Sequence, residues 1–107
     1  MTTYILDSEG NPVPEPDTLK WGRWMELAER HLGDDTIGNS RISTVFLGID
    51  HQLANGQPPL LYETMIFANG RDDYCERYST RSEALAGHAK AVEMVKNDAV
   101  PSQGESR

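Results

Sequence analysis

Residues 41–51 read Arg-Ile-Ser-Thr-Val-Phe-Leu-Gly-Ile-Asp-His and decide the fold of the chain. This run is rich in β-branched and aromatic residues, and apolar side chains occur at both odd and even positions. The pattern predicts a central strand over Arg41–His51 that is covered on both faces. Gly48, inside this strand, indicates a bulge or the close approach of another group.

Two further strands are predicted over Leu60–Phe67 and Asp72–Tyr78. The Asn-Gly pair at 69–70 is a strong hairpin signal, because these residues tolerate the positive φ angles of a type I′ turn. A two-residue loop would place Glu63 opposite Glu76. Since facing like charges destabilise a hairpin, either the register differs or a cation lies there: an arginine, a metal or the amine of a ligand.

The strands are followed by a predicted helix over Arg81–Lys96, which the capping box formed by Thr80 and Glu83 opens. The apolar stripe of this helix carries Leu85, His88, Val92 and Val95, with Ala84 and Ala91 beside it. On such a stripe, His88 is either a core histidine with satisfied ring nitrogens or part of a pocket wall. Residues 97–107 are poor in apolar side chains and predict a disordered tail.

The beginning of the chain predicts an extended element and a second helix. Residues 1–16 combine turn-forming residues with prolines, which favour a short hairpin or an extended arm that lies along a neighbouring subunit. A helix is predicted over Thr18–Leu32, with Asp17 as N-cap and Gly33 as C-cap. Residues 34–40 predict a polar loop.

Two tryptophans, Trp21 and Trp24, lie within one turn of this helix. They predict either its core face or a platform for a flat ligand. Together with the strands and the second helix, these elements predict an α+β fold: a small antiparallel sheet of three to four strands, packed by a C-terminal and an N-terminal helix. One domain over residues 1–96 is expected.

Composition narrows the class of function. The chain has 107 residues, 17 acidic against 10 basic side chains and a net charge of −7, which argues against binding nucleic acid through a basic surface. The single cysteine, Cys75, excludes an internal disulfide and is expected to be buried and inert. The first residues lack the pattern of a signal peptide, and no run predicts a membrane span. We therefore expect a cytosolic protein.

Motifs for catalysis and cofactors are missing from the sequence. It contains no P-loop, dinucleotide fingerprint, His-Glu-x-x-His, Cys-x-x-Cys or Gly-x-Ser-x-Gly pattern. Asp50 and His51 are adjacent on a predicted strand, so their side chains start on opposite faces and form a weak metal pair. The sequence predicts a non-enzymatic protein without a cofactor or metal.

The best candidate for recognition is the junction of the third strand and the last helix. Free N–H groups at a helix N-terminus attract anions, and arginines add charge-assisted hydrogen bonds. Tyrosines nearby, including Tyr74, could stack on a base, and two histidines could line the pocket. The predicted ligand-binding residues are Arg77, Tyr78, Thr80, Arg81, Tyr62, His88 and His51. They predict either capture of a small anionic, nucleotide-like ligand or ordinary helix capping, with surface arginines that pair with local acids.

A second function remains open. An acidic face could dock on a basic partner; its residues are Asp34, Asp35, Asp72, Asp73 and Glu76. Exposed strand edges and the N-terminal arm predict a homo-oligomer.

Four segments carry a family resemblance: residues 4–16, 43–51, 60–67 and 77–84. They resemble small accessory proteins of temperate phages and prophages. The resemblance covers most of the chain and implies a role in the cytosol of an infected bacterium. By analogy with such accessory proteins, it implies an antagonist of host defence that binds a protein or sequesters a nucleotide signal. With this origin, the partner of the acidic face would be a basic host protein, and a minor role in virion assembly is a further alternative. The resemblance assigns no catalytic residues.

Overall fold

Two antiparallel sheets and two helices form the α+β fold of the computed structural model, which describes residues 2–50, 56–68 and 71–99. Of residues 71–73, 98 and 99, the backbone alone is described. The elements are β1 (Tyr4–Leu6), β2 (Pro12–Pro14), α1 (Thr18–Leu27), β3 (His31–Ile37), β4 (Ser40–Phe46), β5 (Tyr62–Ala68), β6 (Arg71–Tyr78) and α2 (Arg81–Ala99). The predicted fold class is confirmed.

Residues 2–16 adopt the hairpin, one of the two forms predicted for the beginning of the chain. Ile5 on β1 pairs with Val13 on β2. The hydroxyl of Thr3 donates to the Glu15 carbonyl at 2.6 Å, and the Tyr4 amide donates to the Gly48 carbonyl. These bonds attach the hairpin to its own chain.

The larger sheet has the strand order β3-β4-β5-β6, so each strand pairs with its neighbour in sequence. The predictions of a helix end at Leu32 and of a polar loop over 34–40 are wrong, because α1 ends at Leu27 and β3 follows. Ala28 already has extended backbone angles. Residues 31–37 gain a ladder of hydrogen bonds to β4 that overrides their helical spacing.

The predicted central strand is regular only as far as Phe46, and Gly48 lies just beyond this end with a φ of 78°, in the left-handed region. The predicted close approach is confirmed: a Cβ at this position would lie 2.6 Å from the Met25 sulfur. The indole of Trp21 also donates to the Gly48 carbonyl at 3.1 Å. Gly48 thus fastens α1 to the end of the sheet.

The hairpin of β5 and β6 contains a bulge that the predicted register lacked. Ala68 faces Arg71 as expected, but the pairing shifts by one residue beyond Phe67. As a result Glu63 faces Arg77 instead of Glu76, which confirms the first of the two predicted alternatives, a different register. The bulge replaces two facing carboxylates by an ion pair. The predicted turn residues 69–70 lie outside the described residues.

The core lies between the sheet and α2. One cluster contains Ile42, Ile66, Ala91 and Val95, and a second contains Phe46, Leu61, Tyr62 and Ala84. The alanines, predicted as flanks, are fully buried, whereas Leu85 is 40% exposed. Because alanine is small, the helix approaches the sheet closely on the side that carries the alanines. Leu85 lies beside this side and stays partly exposed.

The sheet is covered by a helix on one face only, as far as the described elements go. α2 packs across all four strands, while α1 packs on β1 and reaches the end of the sheet through Trp24. The prediction that β4 is covered on both faces is therefore wrong as far as the described helices and strands are concerned.

The last helix is longer than predicted. α2 continues to Ala99, so residues 97–99 are helical, and 100–107 lie outside the described part. Neither helix, within the described residues, is long and apolar enough to cross a membrane.

Candidate functional site

The two central members of the predicted anion site point to opposite faces of the sheet. Arg77 lies on the face that α2 leaves open, and its Nε is 2.9 Å from the Glu63 carboxylate. Tyr78 lies under α2, where its hydroxyl is packed against Gly87. Successive strand residues alternate between faces, so these neighbours in sequence cannot contact one small ligand together.

The N-terminus of α2 already holds a carboxylate. Glu83 accepts hydrogen bonds from the amides of Ser79 and Thr80 at 3.2 and 3.1 Å, and the Thr80 hydroxyl accepts from the Glu83 amide. The predicted capping box is confirmed. A bound anion would meet the negative charge of Glu83 here. Arg81 is exposed and forms no ion pair with any described residue.

The tyrosines proposed for stacking are parts of the core. Tyr62 is fully buried and pairs across the sheet with Tyr78. Burial raises the pKa of Tyr62, and the charge of Arg81 partly offsets this effect. Burial also raises the pKa of Tyr74. Within the described part of the chain, the buried hydroxyl of Tyr62 has no hydrogen-bond partner, whereas the Tyr78 hydroxyl lies close to the Thr64 side chain.

His88 is held on both sides of its ring. Nδ1 lies 2.7 Å from the Thr44 hydroxyl, which lies 2.5 Å from the Thr64 hydroxyl, and Nε2 lies 2.7 Å from an Asp35 oxygen. This acid, imidazole and hydroxyl occur in the order of a hydrolytic triad. Thr44 is fully buried, however, so no substrate reaches its oxygen. The arrangement matches the predicted satisfied histidine. His51 lies outside the described residues.

The predicted acidic face is divided as well. Asp34 and Asp35 point to opposite faces of the sheet. Arg41 binds both Asp34 oxygens, at 2.9 and 2.8 Å, and this hydrogen-bonded contact lowers the pKa of Asp34. Asp35 is bound to His88. Glu76 is exposed on the face that carries α2, and nothing is described of the side chains of 72 and 73. The described acids therefore do not form one continuous surface.

Cys75 is exposed, so the prediction of a buried cysteine is wrong. The bulge places it opposite Met65 on the face of the sheet that α2 leaves uncovered. Its sulfur donates to Glu63 at 3.2 Å, and partial desolvation together with this carboxylate raises the thiol pKa. A thiol that stays protonated is a poor nucleophile.

A surface that the sequence analysis missed lies on α1. None of the ten residues of this helix, all of them described, is buried. Leu19 is 85% and Leu27 77% exposed. Beside Leu27 is an open cavity of about 350 Å³, which we call the α1 pocket; it is lined by Lys20, Arg23, Trp24, Leu27 and Ala28.

Trp24 forms the boundary between the α1 pocket and the core. Its ring meets the ring of Phe46 edge to face, with centroids 5.8 Å apart. The core therefore holds the tryptophan in place while part of it faces the pocket. The signal was present in the sequence: Lys20, Arg23, Trp24 and Leu27 follow the i, i+3, i+4, i+7 spacing of one helical face.

The described residues contain no group of three His, Cys, Asp or Glu side chains that could hold a metal ion. Comparisons of the chain with protein-family models, with curated proteins and with solved structures give no match. A candidate function is therefore inferred from the surfaces of the described residues, and the α1 pocket is one of these surfaces.

Proposed function

We propose that the chain is a non-enzymatic binding protein that captures a segment of another protein in the α1 pocket. One observation carries this proposal: a concave apolar site next to a leucine that is 77% exposed, on a helix without a buried residue. Exposed apolar surface of this kind is costly in water and marks interaction sites.

The composition of the pocket fits a protein partner. Tryptophan and arginine are the residues most often found at energetic centres of protein interfaces. Full burial of a leucine side chain contributes about 2 kcal/mol. Because Trp24 is held by Phe46, little side-chain freedom would be lost when a partner side chain packs on it.

The basic side chains beside the α1 pocket indicate the charge of the partner segment that would bind there. Lys20 is 69% exposed and lies 3.6 Å from Glu15, and Arg23 forms no ion pair with any described residue. These cations flank an apolar pocket in a chain whose net charge is −7. The matching occupant is an apolar anchor flanked by carboxylates. This is opposite in charge to the basic partner that the sequence predicted for an acidic face.

The cellular setting of this capture is a further part of the proposal. The resemblance to phage accessory proteins suggests a bacterial protein as partner and antagonism of host defence as purpose. No catalytic step is required, since occupation of an apolar anchor site is enough to block the use of the same segment by a host protein.

A peptide-display selection tests the proposal. A library of random peptides is selected on the immobilised chain, and the enriched peptides are then tested on the variants Leu27→Ser and Glu26→Ser. Glu26 is exposed on α1 but does not line the pocket, so it is the matched control. We expect enriched peptides with an apolar residue between acidic ones, and binding at least about tenfold weaker to Leu27→Ser.

Two results would refute the pocket as the binding site. One is enrichment of basic peptides, which Lys20 and Arg23 would repel. The other is binding of the enriched peptides to Leu27→Ser at wild-type strength. Circular dichroism of both variants checks that the helix is retained.

The second candidate function is capture of a small anionic, nucleotide-like ligand beside α2. The observation that favours it is the exposed Arg81, which has no ion pair among the described residues and lies close enough to Tyr62 to affect its pKa. Native mass spectrometry of the protein purified from bacteria tests it. An added mass that is lost on denaturation and absent in Arg81→Ala would support the ligand; its presence in Arg81→Ala would refute this position.

A further inference from the structure

The face of the larger sheet opposite α2 carries a row of apolar and small side chains. Ser43, Met65 and Cys75 face one another across β4, β5 and β6. Val45 and Phe67 lie on the same face, and the side chains of Val45, Met65 and Phe67 are only partly buried. We call this row and its flanks the open face. No described helix or strand outside the sheet packs on it.

An ion pair flanks the row on each side. On the side of β3 and β4, Asp34 is paired with Arg41; on the side of β5 and β6, Glu63 is paired with Arg77. Each flank thus combines one carboxylate with one guanidinium and has no net charge. The open face is therefore neutral at its flanks although the chain carries −7.

Two copies of an acidic chain repel each other, and the repulsion is least where the contact surface is neutral. A flank with one cation and one anion is complementary to the same flank of a second copy and also to the opposite flank. This is the condition for an isologous contact, in which the same surface is used twice. A strongly basic partner would instead favour a surface of net negative charge.

The strand edges are poor alternatives for self-association. β3 and β6 are the two edges of the sheet, and each contains a register shift. Bulges and charged residues are the features that keep edges from pairing with another chain. The N-terminal hairpin is bound to its own chain through Thr3 and Tyr4. A homo-oligomer built on edges or on this arm, as the sequence suggested, has little support.

We infer that a second copy of the chain covers the open face, so that two sheets pack face to face with Met65 near the centre. The distance between the sheets would be about 10 Å, as in β-sandwiches. Four strands about 4.8 Å apart, each about seven residues long, give a face of roughly 450 Å². A flat area of this size corresponds to an interface at the small end of the range, so the dimer should dissociate on dilution.

Sedimentation velocity of the whole chain tests this inference over a series of protein concentrations. We expect a monomer that converts to a dimer with rising concentration, and a Met65→Arg variant that stays monomeric. Met65 lies at the surface of the sheet, so circular dichroism and the thermal midpoint of this variant should remain close to wild type. Leu27→Ser is the control: it alters the α1 pocket and should still dimerise.

Cys75 gives a second readout on the unmodified chain. In the proposed dimer its reaction with a maleimide should slow several-fold as the protein concentration rises, and this effect should be absent in Met65→Arg. The inference is wrong if the wild-type chain remains monomeric at several hundred micromolar, or if Met65→Arg dimerises like the wild type. The two proposals are tested separately. Peptide binding to Leu27→Ser tests the α1 pocket alone, and dimerisation of the same variant tests the open face alone.

Discussion

His88 on α2 and Thr44 on β4 are joined by a hydrogen bond of 2.7 Å that links the helix to the centre of the sheet. The bond exists because Gly33 leaves room for the imidazole: a Cβ at this position would lie 2.6 Å from Nε2. Asp35 then holds the other nitrogen of the ring. The ring thus connects the edge strand, a central strand and the helix.

Removal of this imidazole should destabilise the fold. In His88→Ala, the buried hydroxyl of Thr44 loses its imidazole partner and keeps only Thr64, which costs about 1–3 kcal/mol. Urea unfolding measures the change. Asp35→Asn is the control, because the Asp35 side chain is exposed and the ring keeps a hydrogen-bond acceptor. Equal stability of His88→Ala and the wild type would show that the network contributes nothing.

Two glycines in helices should respond in opposite ways to alanine. In Gly87→Ala the new methyl group would overlap the Tyr78 ring and hydroxyl, and the forced separation of α2 from the sheet should cost about 1–3 kcal/mol. In Gly22→Ala nothing lies within 4 Å of the new methyl, so the gain in helix propensity should stabilise the protein by up to about 1 kcal/mol. Thermal unfolding of the pair checks the sign, and destabilisation by both would contradict the packing described for α2.

The ion pair across β5 and β6 should be specific to the bulged register. Arg77→Glu places two carboxylates opposite each other and should lower the free energy of unfolding by up to about 1 kcal/mol. The exchange Glu63→Arg with Arg77→Glu should restore most of this loss. A double-mutant cycle measures the coupling. Absence of coupling would be expected if Glu63 instead faced Glu76.

Alkaline pH should destabilise the protein through Tyr62 and Tyr78, whose rings belong to the core. Burial raises the pKa of both Tyr62 and Tyr78 above the ordinary value near 10, so the folded state retains protons that the unfolded state releases. Stability is therefore complete below pH 10 and falls as the pH rises above it. Urea unfolding at pH 8 and pH 11 measures this loss. The variant Tyr62→Phe should lose less, and an unchanged loss would exclude this residue as a cause.

The sequence predicted the elements that depend on local signals. The capping box of α2, the strand positions of β4 to β6 and the special role of Gly48 follow from side-chain type and spacing. β3 was missed because its residues 31–37 are polar and are ordered mainly by pairing with β4. The bulge was missed for a related reason. One inserted residue does not remove the alternation of side chains along the strand, but it changes the pairing, so that Arg77 instead of Glu76 faces Glu63.

At the candidate sites, too, the sequence predicted local features and missed contacts between residues that are far apart in the chain. Proximity in sequence suggested that Arg77 and Tyr78 act together, yet alternation along the strand separates them. The α1 pocket depends on which face of α1 the core uses. That choice is made by Gly48 and Phe46, which are far from the helix in sequence. Periodicity identified an amphipathic helix without showing that Leu27 remains uncovered.

Backbone amide chemical shifts during titration with a display-selected peptide test the central claim most directly. With uniformly labelled wild-type protein, we predict that the largest changes fall on residues 19–28 around the α1 pocket, and that Leu27→Ser removes them. Changes concentrated on the open face, or on the first turn of α2 around Arg81, would contradict capture by the α1 pocket and would place the binding site there.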